Sequence, residues 1–270
     1  MTRRRFTGAT LGATLAATLP LRAAETRAVR GKRLLDESVA ALGGDRYLHM
    51  RDRKETGRAY TFYREQLTGL SIAHIYTRYT DNPEPGKLGL QERQTYGKKE
   101  ESAVLFLDGQ GFDVTFRGAR PLADAILERY YSTTRNNYLY IVRQRLKEPN
   151  LTFEYSGTQV LENQPVDVLD IFDEENFNVT VYLSSRTKLP VKQRFYRRDP
   201  LIHDRIEEVT HFTNFKASAQ GVQWPMNLQR ERDTEKITEI YDETVVIDSG
   251  LADELFKLPN DIQILKKEKS

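Results

Sequence analysis

The sequence has no cysteine, which removes disulfides, thiolate metal sites, cysteine nucleophiles and a lipidated N-terminal cysteine from consideration together. Charge of one sign is not in excess either, with 41 Lys and Arg against 39 Asp and Glu. Four of those arginines (Arg3, Arg4, Arg5 and Arg22) lie in residues 1–24, which hold no acid. The remainder carries 37 basic and 39 acidic residues, net −2. A near-neutral body has no field with which to gather a polyanion, so the sequence pI of about 8.6 does not argue for nucleic acid. A bilayer-spanning run is missing too: residues 6–21 are apolar but diluted by Thr and Gly, short of the about 20 predominantly apolar residues a span needs. A mean hydropathy of −0.63 with 39% hydrophobic residues describes a soluble globular chain, and 270 residues suit one large domain.

What is present begins with an address. A basic start, a mild apolar stretch and the small residues Ala23-Ala24 make residues 1–24 a signal peptide. Thr2-Arg3-Arg4-Arg5-Phe6 matches the opening of a twin-arginine signal, with Thr7 and Gly8 where that motif usually has Leu and Lys, and weak hydrophobicity with Arg22 near the cleavage site suits that route; an ordinary arginine-rich start of a general secretory signal is the alternative. Residues 25–270 are then a single domain working in the periplasm, exported and soluble after cleavage.

That domain opens with one helix. Leu35, Val39 and Leu42 recur at i, i+4 and i+7 over residues 29–42, and Gly43-Gly44 supplies the stop. The period then becomes two, with aromatic and β-branched residues in alternation from about residue 60 onward. The clearest strand sets Phe177, Val179, Val181 and Leu183 on one face against Asn178, Thr180 and Tyr182 on the other. Further strands are expected at 159–161, 166–172, 191–196, 206–215 and 237–246, separated by turns short enough to demand antiparallel pairing. A helical insert, about 121–147, interrupts them. Pro121 suits a first helical position, with Leu122, Ala125, Ile126 and Tyr130 on one face, and Leu139, Val142 and Leu146 repeat the helical spacing beyond.

Roughly ten or more antiparallel strands curl, because strand twist accumulates. The hollow of a curled sheet is filled by side chains, plugged by helices or occupied by a ligand. The fold class expected is therefore mainly β (α+β), a curled antiparallel sheet forming an incomplete barrel covered by helices.

Several segments, in order, resemble the LolA/LolB-like family of periplasmic lipoprotein carriers, in the group of outer-membrane lipoprotein-sorting proteins. They are Ala40-Ala41-Leu42-Gly43-Gly44, then Phe106-Leu107-Asp108-Gly109 with residues 112–118, and the strand pair over 163–172. Leu189-Pro190-Val191, Gly221-Val222-Gln223-Trp224-Pro225 leading into 226–232, and Leu255-Phe256-Lys257-Leu258-Pro259 complete the series, which covers most of the domain. The resemblance implies a LolA-like cavity for lipid or lipoprotein acyl chains, with membrane-bound donor and acceptor proteins as further partners and no cofactor. It also implies a lid-holding strand arginine, for which Arg78, Arg93 and Arg117 are candidates. The chain departs from the family in its greater length and its twin-arginine opening. A sensor or adaptor using the same fold to bind a segment of a partner protein is the alternative function.

On this reading the cavity residues are Phe106, Phe112, Phe116, Phe172, Phe177, Val179, Val181, Leu183, Phe195, Phe212 and Trp224, and the lid residues Leu122, Ile126, Tyr130, Leu139 and Val142. The aromatics serve equally well as the filling of a curled sheet.

Catalysis finds little support. Gly69-Leu70-Ser71-Ile72-Ala73 misses the nucleophile elbow at its last position. His49, His74, His203 and His211 lack metal-motif spacing, and Asp167 and Asp170 have opposite parity on one strand. Asp173-Glu174-Glu175 reads as an acidic hairpin turn and Gly109-Gln110-Gly111 as a turn between strands. The basic and aromatic run over 192–198 reads as a solvent face with long side chains. A reaction centre requires a convergent polar cluster, and none is legible in the sequence. The chain is expected to be a binding protein and not an enzyme.

Overall fold

The computed structural model describes residues 25–267 except 82–85, 108, 176 and 200–203. The expected signal peptide and His203 lie outside these residues.

Helix α1 (Arg27–Leu42) starts where the Thr26 side chain accepts a hydrogen bond from the Val29 amide, and stops at Gly43, whose φ of 126° is open to glycine. It begins two residues ahead of the expected start because Thr26 is the capping residue. The single turn α2 (Asp45–Leu48) follows. Six strands come next: β1 (Asp52–Tyr63), β2 (Gln66–Tyr79), β3 (Leu90–Tyr96), β4 (Ser102–Leu107), β5 (Gln110–Thr115) and β6 (Gly118–Pro121). The insert holds α3 (Asp124–Arg135), α4 (Tyr138–Tyr140) and a π-helical turn (Ile141–Arg145). Seven strands return: β7 (Thr152–Leu161), β8 (Gln164–Phe172), β9 (Asn178–Ser184), β10 (Pro190–Arg198), β11 (Arg205–Ala217), β12 (Gln223–Arg232) and β13 (Glu235–Ile247). A 3-10 turn (Asp253–Phe256) precedes the C-terminal segment.

All thirteen strands form one antiparallel sheet in the order β6-β5-β4-β3-β2-β1-β13-β12-β11-β10-β9-β8-β7. Each strand pairs with its sequence neighbour except where β1 meets β13, which joins two meanders into one sheet. The sheet curls without closing, and its edges are β6 and β7. Each edge is covered in part, as exposed ladders invite pairing with another chain. At β6 the C-terminal segment pairs in parallel through Ala119 and Ile264, with Ala119 donating to the Gln263 carbonyl at 2.9 Å. At β7 helix α1 lies on the strand, and Arg27 donates to the Tyr155 carbonyl at 3.1 Å.

The expected helix start at Pro121 is corrected: Pro121 ends the edge strand β6, where a missing amide donor is tolerated, and the helix begins at Asp124. The strand expected to bury one face buries part of both, because Tyr182 packs with Val166 and Val168 in a small cluster on the outer side of the sheet. No helix among the described residues is long and apolar enough to cross a membrane.

The docking of α1 depends on one glycine. A Cβ at Gly31 would lie 2.4 Å from the Phe153 carbonyl oxygen, and that neighbour is backbone. Gly31→Ala is therefore expected to destabilise by about 1–3 kcal/mol through overpacking, exceeding the up to ~1 kcal/mol that alanine returns in helix propensity. Urea unfolding of the variant against the parent measures the difference.

Candidate ligand-binding cavity

The pairing registers fix which side chains share the inner face of the curl. Arg53 and Glu55 on β1 stand beside Thr77 and Ile75 on β2, which stand beside Glu92 and Gln94 on β3, and Glu92 stands beside Phe106 on β4. In the other half, Val179 and Val181 stand beside Phe195 and Gln193, and Phe212 beside Leu228. Val179, Val181, Leu183, Phe195, Phe212 and Trp224 are buried in one core cluster with Leu34, Leu35 and Leu42 of α1, and Phe177 packs against it. Of the expected cavity residues these line the inner face, but in this half α1 and the core fill most of the hollow, leaving an open pocket of about 510 Å³ at the end that Phe177, Phe195 and Arg197 line.

Three aromatics lie elsewhere. Phe112 pairs with Leu105, not with Phe106, so it faces outward, in a second cluster against Leu258 and Ile262 of the C-terminal segment. Phe172 shares the outer face of β8 with Val166 and Val168, since successive side chains alternate. Phe116 sits in the β5–β6 turn with 90% of its surface exposed and lines nothing. Arg117 stacks on Phe116, and Arg78 lies over Phe256 with an ion pair to Asp253 at 2.7 Å, so neither meets the insert.

The insert is two pieces held differently. Tyr138, Leu139, Ile141 and Val142 are buried in the main core. The Tyr138 amide donates to Gln193 at 2.6 Å, Gln193 donates to the Asn136 carbonyl at 3.1 Å, and Tyr138 donates to Ser38 at 2.8 Å. Tyr47 donates to the Leu139 carbonyl at 2.7 Å, and Arg143 to the Met50 carbonyl at 2.9 Å. Leu139 and Val142, expected in the lid, are therefore parts of a fixed plug.

Helix α3, by contrast, has no fully buried residue and no side-chain cap. It rests on Gly111 of β5, where a Cβ would lie 2.6 Å from Leu127 and 2.7 Å from Leu122. Tyr130 stacks on Phe106 with ring centroids 3.5 Å apart, and Arg129 reaches Asp199 at 3.6 Å. Ile126 is 45% exposed and points away from the sheet. The inward face is Leu127, Tyr130, Tyr131 and Thr134, one step round from the expected one, because the helix starts three residues after Pro121.

Two chambers lie behind α3. One, of about 320 Å³, is lined by Leu88, Leu90, Phe106, Leu107, Leu127, Tyr130 and Tyr131 with the 86–87 and 109–110 loops. The other, of about 160 Å³, is bounded by the plug residues Leu139 and Tyr140 and by inner-face residues of both meanders, among them Arg53, Glu55, Glu92, Gln94, Trp224 and Arg230. Leu90 and Tyr130 line both chambers and form the wall between them.

The smaller chamber is bounded by a convergent polar cluster that the sequence did not reveal. Arg53 pairs with Glu55 at 2.7 Å, donates to Thr77 at 3.1 Å and to Tyr79, and lies 4.1 Å from the Trp224 ring centre. Trp224 Nε1 donates to Glu55 Oε2 at 3.0 Å. Asp242 joins this group through a bulge: Thr56 faces Thr244 but Gly57 faces Asp242, so the extra residue Glu243 turns Asp242 inward. A Cβ on Gly57 would lie 2.1 Å from the Tyr241 carbonyl oxygen, which reserves the position for glycine. Burial, reinforced by the Glu55 carboxylate, pushes the Asp242 carboxyl up to about 9, and burial also raises Glu92 against the opposing hydrogen bond from Gln94. No group of three or more described His, Cys, Asp or Glu is placed to hold a metal. The described histidines are scattered: His49 meets the Asp45 carbonyl, His74 Thr56, and His211 Glu231.

The Asp242 proton has a thermodynamic consequence. The folded chain keeps a proton that the unfolded chain releases above its ordinary value of 3.8, so native stability falls as pH rises from there through about 9. Asp242→Asn removes this dependence. The variant is expected to melt a few degrees above the parent at about pH 8, with the gap shrinking toward about pH 5, as read by thermal denaturation across pH.

The sequence matches no protein-family model and no curated protein. Solved structures do match in three dimensions. A domain described as an outer membrane lipoprotein-sorting protein from Vibrio parahaemolyticus aligns with a TM-score of 0.55 at 14% identity, covering 85% of this chain and 97% of that one. A DUF1329 family protein from Desulfovibrio piger gives 0.55 at 12% identity, covering 84% and 97%. A LolA superfamily protein from Nitrosomonas europaea gives 0.52 at 9% identity, also covering 84% and 97%. Identities this low carry the architecture alone, and the architecture agrees with the thirteen-stranded curl found here: the chain has the LolA-like fold.

Proposed function

We propose that this protein binds and carries a lipid or lipoprotein acyl chain in the chamber under α3, outside the cytoplasm. The observation behind this reading is the pairing of an apolar chamber of about 320 Å³ with a covering helix that buries no residue completely. That volume is at the lower end of small-molecule sites, which run from about 300 to 1,000 Å³. Burial of an acyl chain supplies about 0.8 kcal/mol per methylene, enough for useful affinity without precise head-group contacts. Loading and release require α3 to lift from Gly111 and Phe106 while the plug at 138–145 stays in place. Likeness to the Vibrio lipoprotein-sorting domain supports the reading by fold-level analogy, and the signal-like stretch at 1–24 supports a place outside the cytoplasm. Delivery would then involve membrane-bound donors and acceptors. The polar wall fits a binding role better than a reaction centre, because the Glu55 carboxylate is already held by Arg53 and Trp224.

Native mass spectrometry of protein purified without detergent, followed by solvent extraction, tests this. A bound acyl lipid is expected, and Leu127→Asp is expected to weaken it at least tenfold while leaving the melting temperature within a few degrees, since Leu127 is only half-buried. A protein that stays empty after incubation with lipid and lipopeptide would end the carrier reading and turn attention to a partner-protein segment as the occupant.

A further inference from the structure

The polar chamber holds an arginine to which none of its carboxylates is bonded. Glu55 is engaged by Arg53 and by Trp224 Nε1. Glu92 accepts from Gln94 at 2.6 Å and from Thr77 at 3.3 Å, and burial draws its carboxyl toward the neutral form. Asp242 is driven further the same way. The half-buried Arg230 side chain lines the same chamber from β12, makes no hydrogen bond or salt bridge to any described side chain, and acts on Glu92 only through space. Its cross-strand neighbours on the inner face, Thr210 and Thr238, carry no charge. A guanidinium with no bonded counter-ion in a half-buried, partly apolar space favours an anion, because its partial desolvation is offset only when one meets it. It is also the side chain best shaped for two parallel hydrogen bonds to a carboxylate.

We infer that the ligand enters head first, a single-chain amphiphile whose carboxylate sits on Arg230 in the polar chamber while its apolar chain runs past Leu90 and Tyr130 into the chamber under α3. The inference rests on the carrier reading and names its ligand class, a long-chain fatty acid. A carboxylate carries one negative charge and matches the one arginine lining the chamber that bonds no described carboxylate. A phosphate monoester carries about −1.5 to −2 at neutral pH, more than one guanidinium offsets, and would set that surplus near the Glu55 carboxylate. Tyr130, stacked on Phe106 and lining both chambers, is the residue that must move aside for the head group to pass.

Three ligands with one chain and different heads separate the alternatives: hexadecanoate, hexadecanol and monohexadecyl phosphate, titrated against the full folded domain by displacement of a fluorescent acyl probe. Hexadecanoate is expected to bind at least tenfold more tightly than hexadecanol. Arg230→Gln is expected to abolish that advantage and Arg230→Lys to keep part of it. Thr238→Asp, which sets an internal carboxylate opposite Arg230, is expected to remove the advantage while leaving hexadecanol binding within about twofold, so the result does not depend on one variant folding well. Equal binding of acid and alcohol, unmoved by these substitutions, would overturn the head-first placement and leave the carrier reading standing. Arg230-dependent binding of the phosphate ahead of the acid would overturn the carboxylate assignment. No binding of any of the three would remove both readings together.

Discussion

The pairing of β1 with β13 is the constraint from which the rest of the architecture follows. It turns two meanders into one sheet and leaves β6 and β7, which are consecutive in the chain, at opposite edges. The connection between them must then cross the open side of the curl, because the twist of so wide a sheet brings its edges round toward each other. The insert lies over the mouth and joins the two edge strands across it. The same pairing, bulged at Gly57, sets Asp242 beside Glu55 and so builds the polar wall at the seam between the meanders.

The two meanders use their inner faces differently. Strands β8 to β12 contribute aliphatic and aromatic side chains to a core that α1, α2 and the fixed part of the insert fill. The inner faces of β1 to β3 carry Arg53, Glu55, Thr77, Glu92 and Gln94, which an apolar helix could not cover without leaving polar groups unpaired. That half is left to α3, whose seat is one stacked ring pair, one glycine contact, Arg129 reaching the buried Asp199 at 3.6 Å, a half-exposed pair of Arg135 with Glu148 at 2.8 Å and an exposed one of Asp124 with Lys267. Exposed pairs contribute little and no residue of α3 is fully buried, so α3 is held less firmly than the plug.

Much of the fold was legible because hydrophobic period is local. The period-two stretches became strands at nearly the expected places, and the spacing of Leu35, Val39 and Leu42 with Gly43-Gly44 marked α1. Assignment of faces was less so, because a strand's parity has meaning only relative to its partner. One step of register separates Phe106, which faces the helices, from Phe112, which faces the C-terminal segment. Ile126 and Leu127 were confused for the corresponding reason in a helix, through the misplaced start at Pro121. The polar cluster was invisible to any local reading. Glu55 and Trp224 are 169 residues apart, and the bulge that turns Asp242 inward has no signature beyond Gly57, whose partner the sequence does not name. The one available signal was charge at alternate positions, Arg53 and Glu55, at the start of a long strand, a pattern that also fits an exposed face.

Hydrogen exchange of the apo protein followed by mass spectrometry would separate lid from plug. Amides of 124–135 are expected to exchange through a local opening at least a hundredfold faster than those of 138–145, and to slow when an acyl ligand is added. Equal protection of the two segments, with exchange only through global unfolding and no response to ligand, would contradict the division of the insert into a moving helix and a fixed plug.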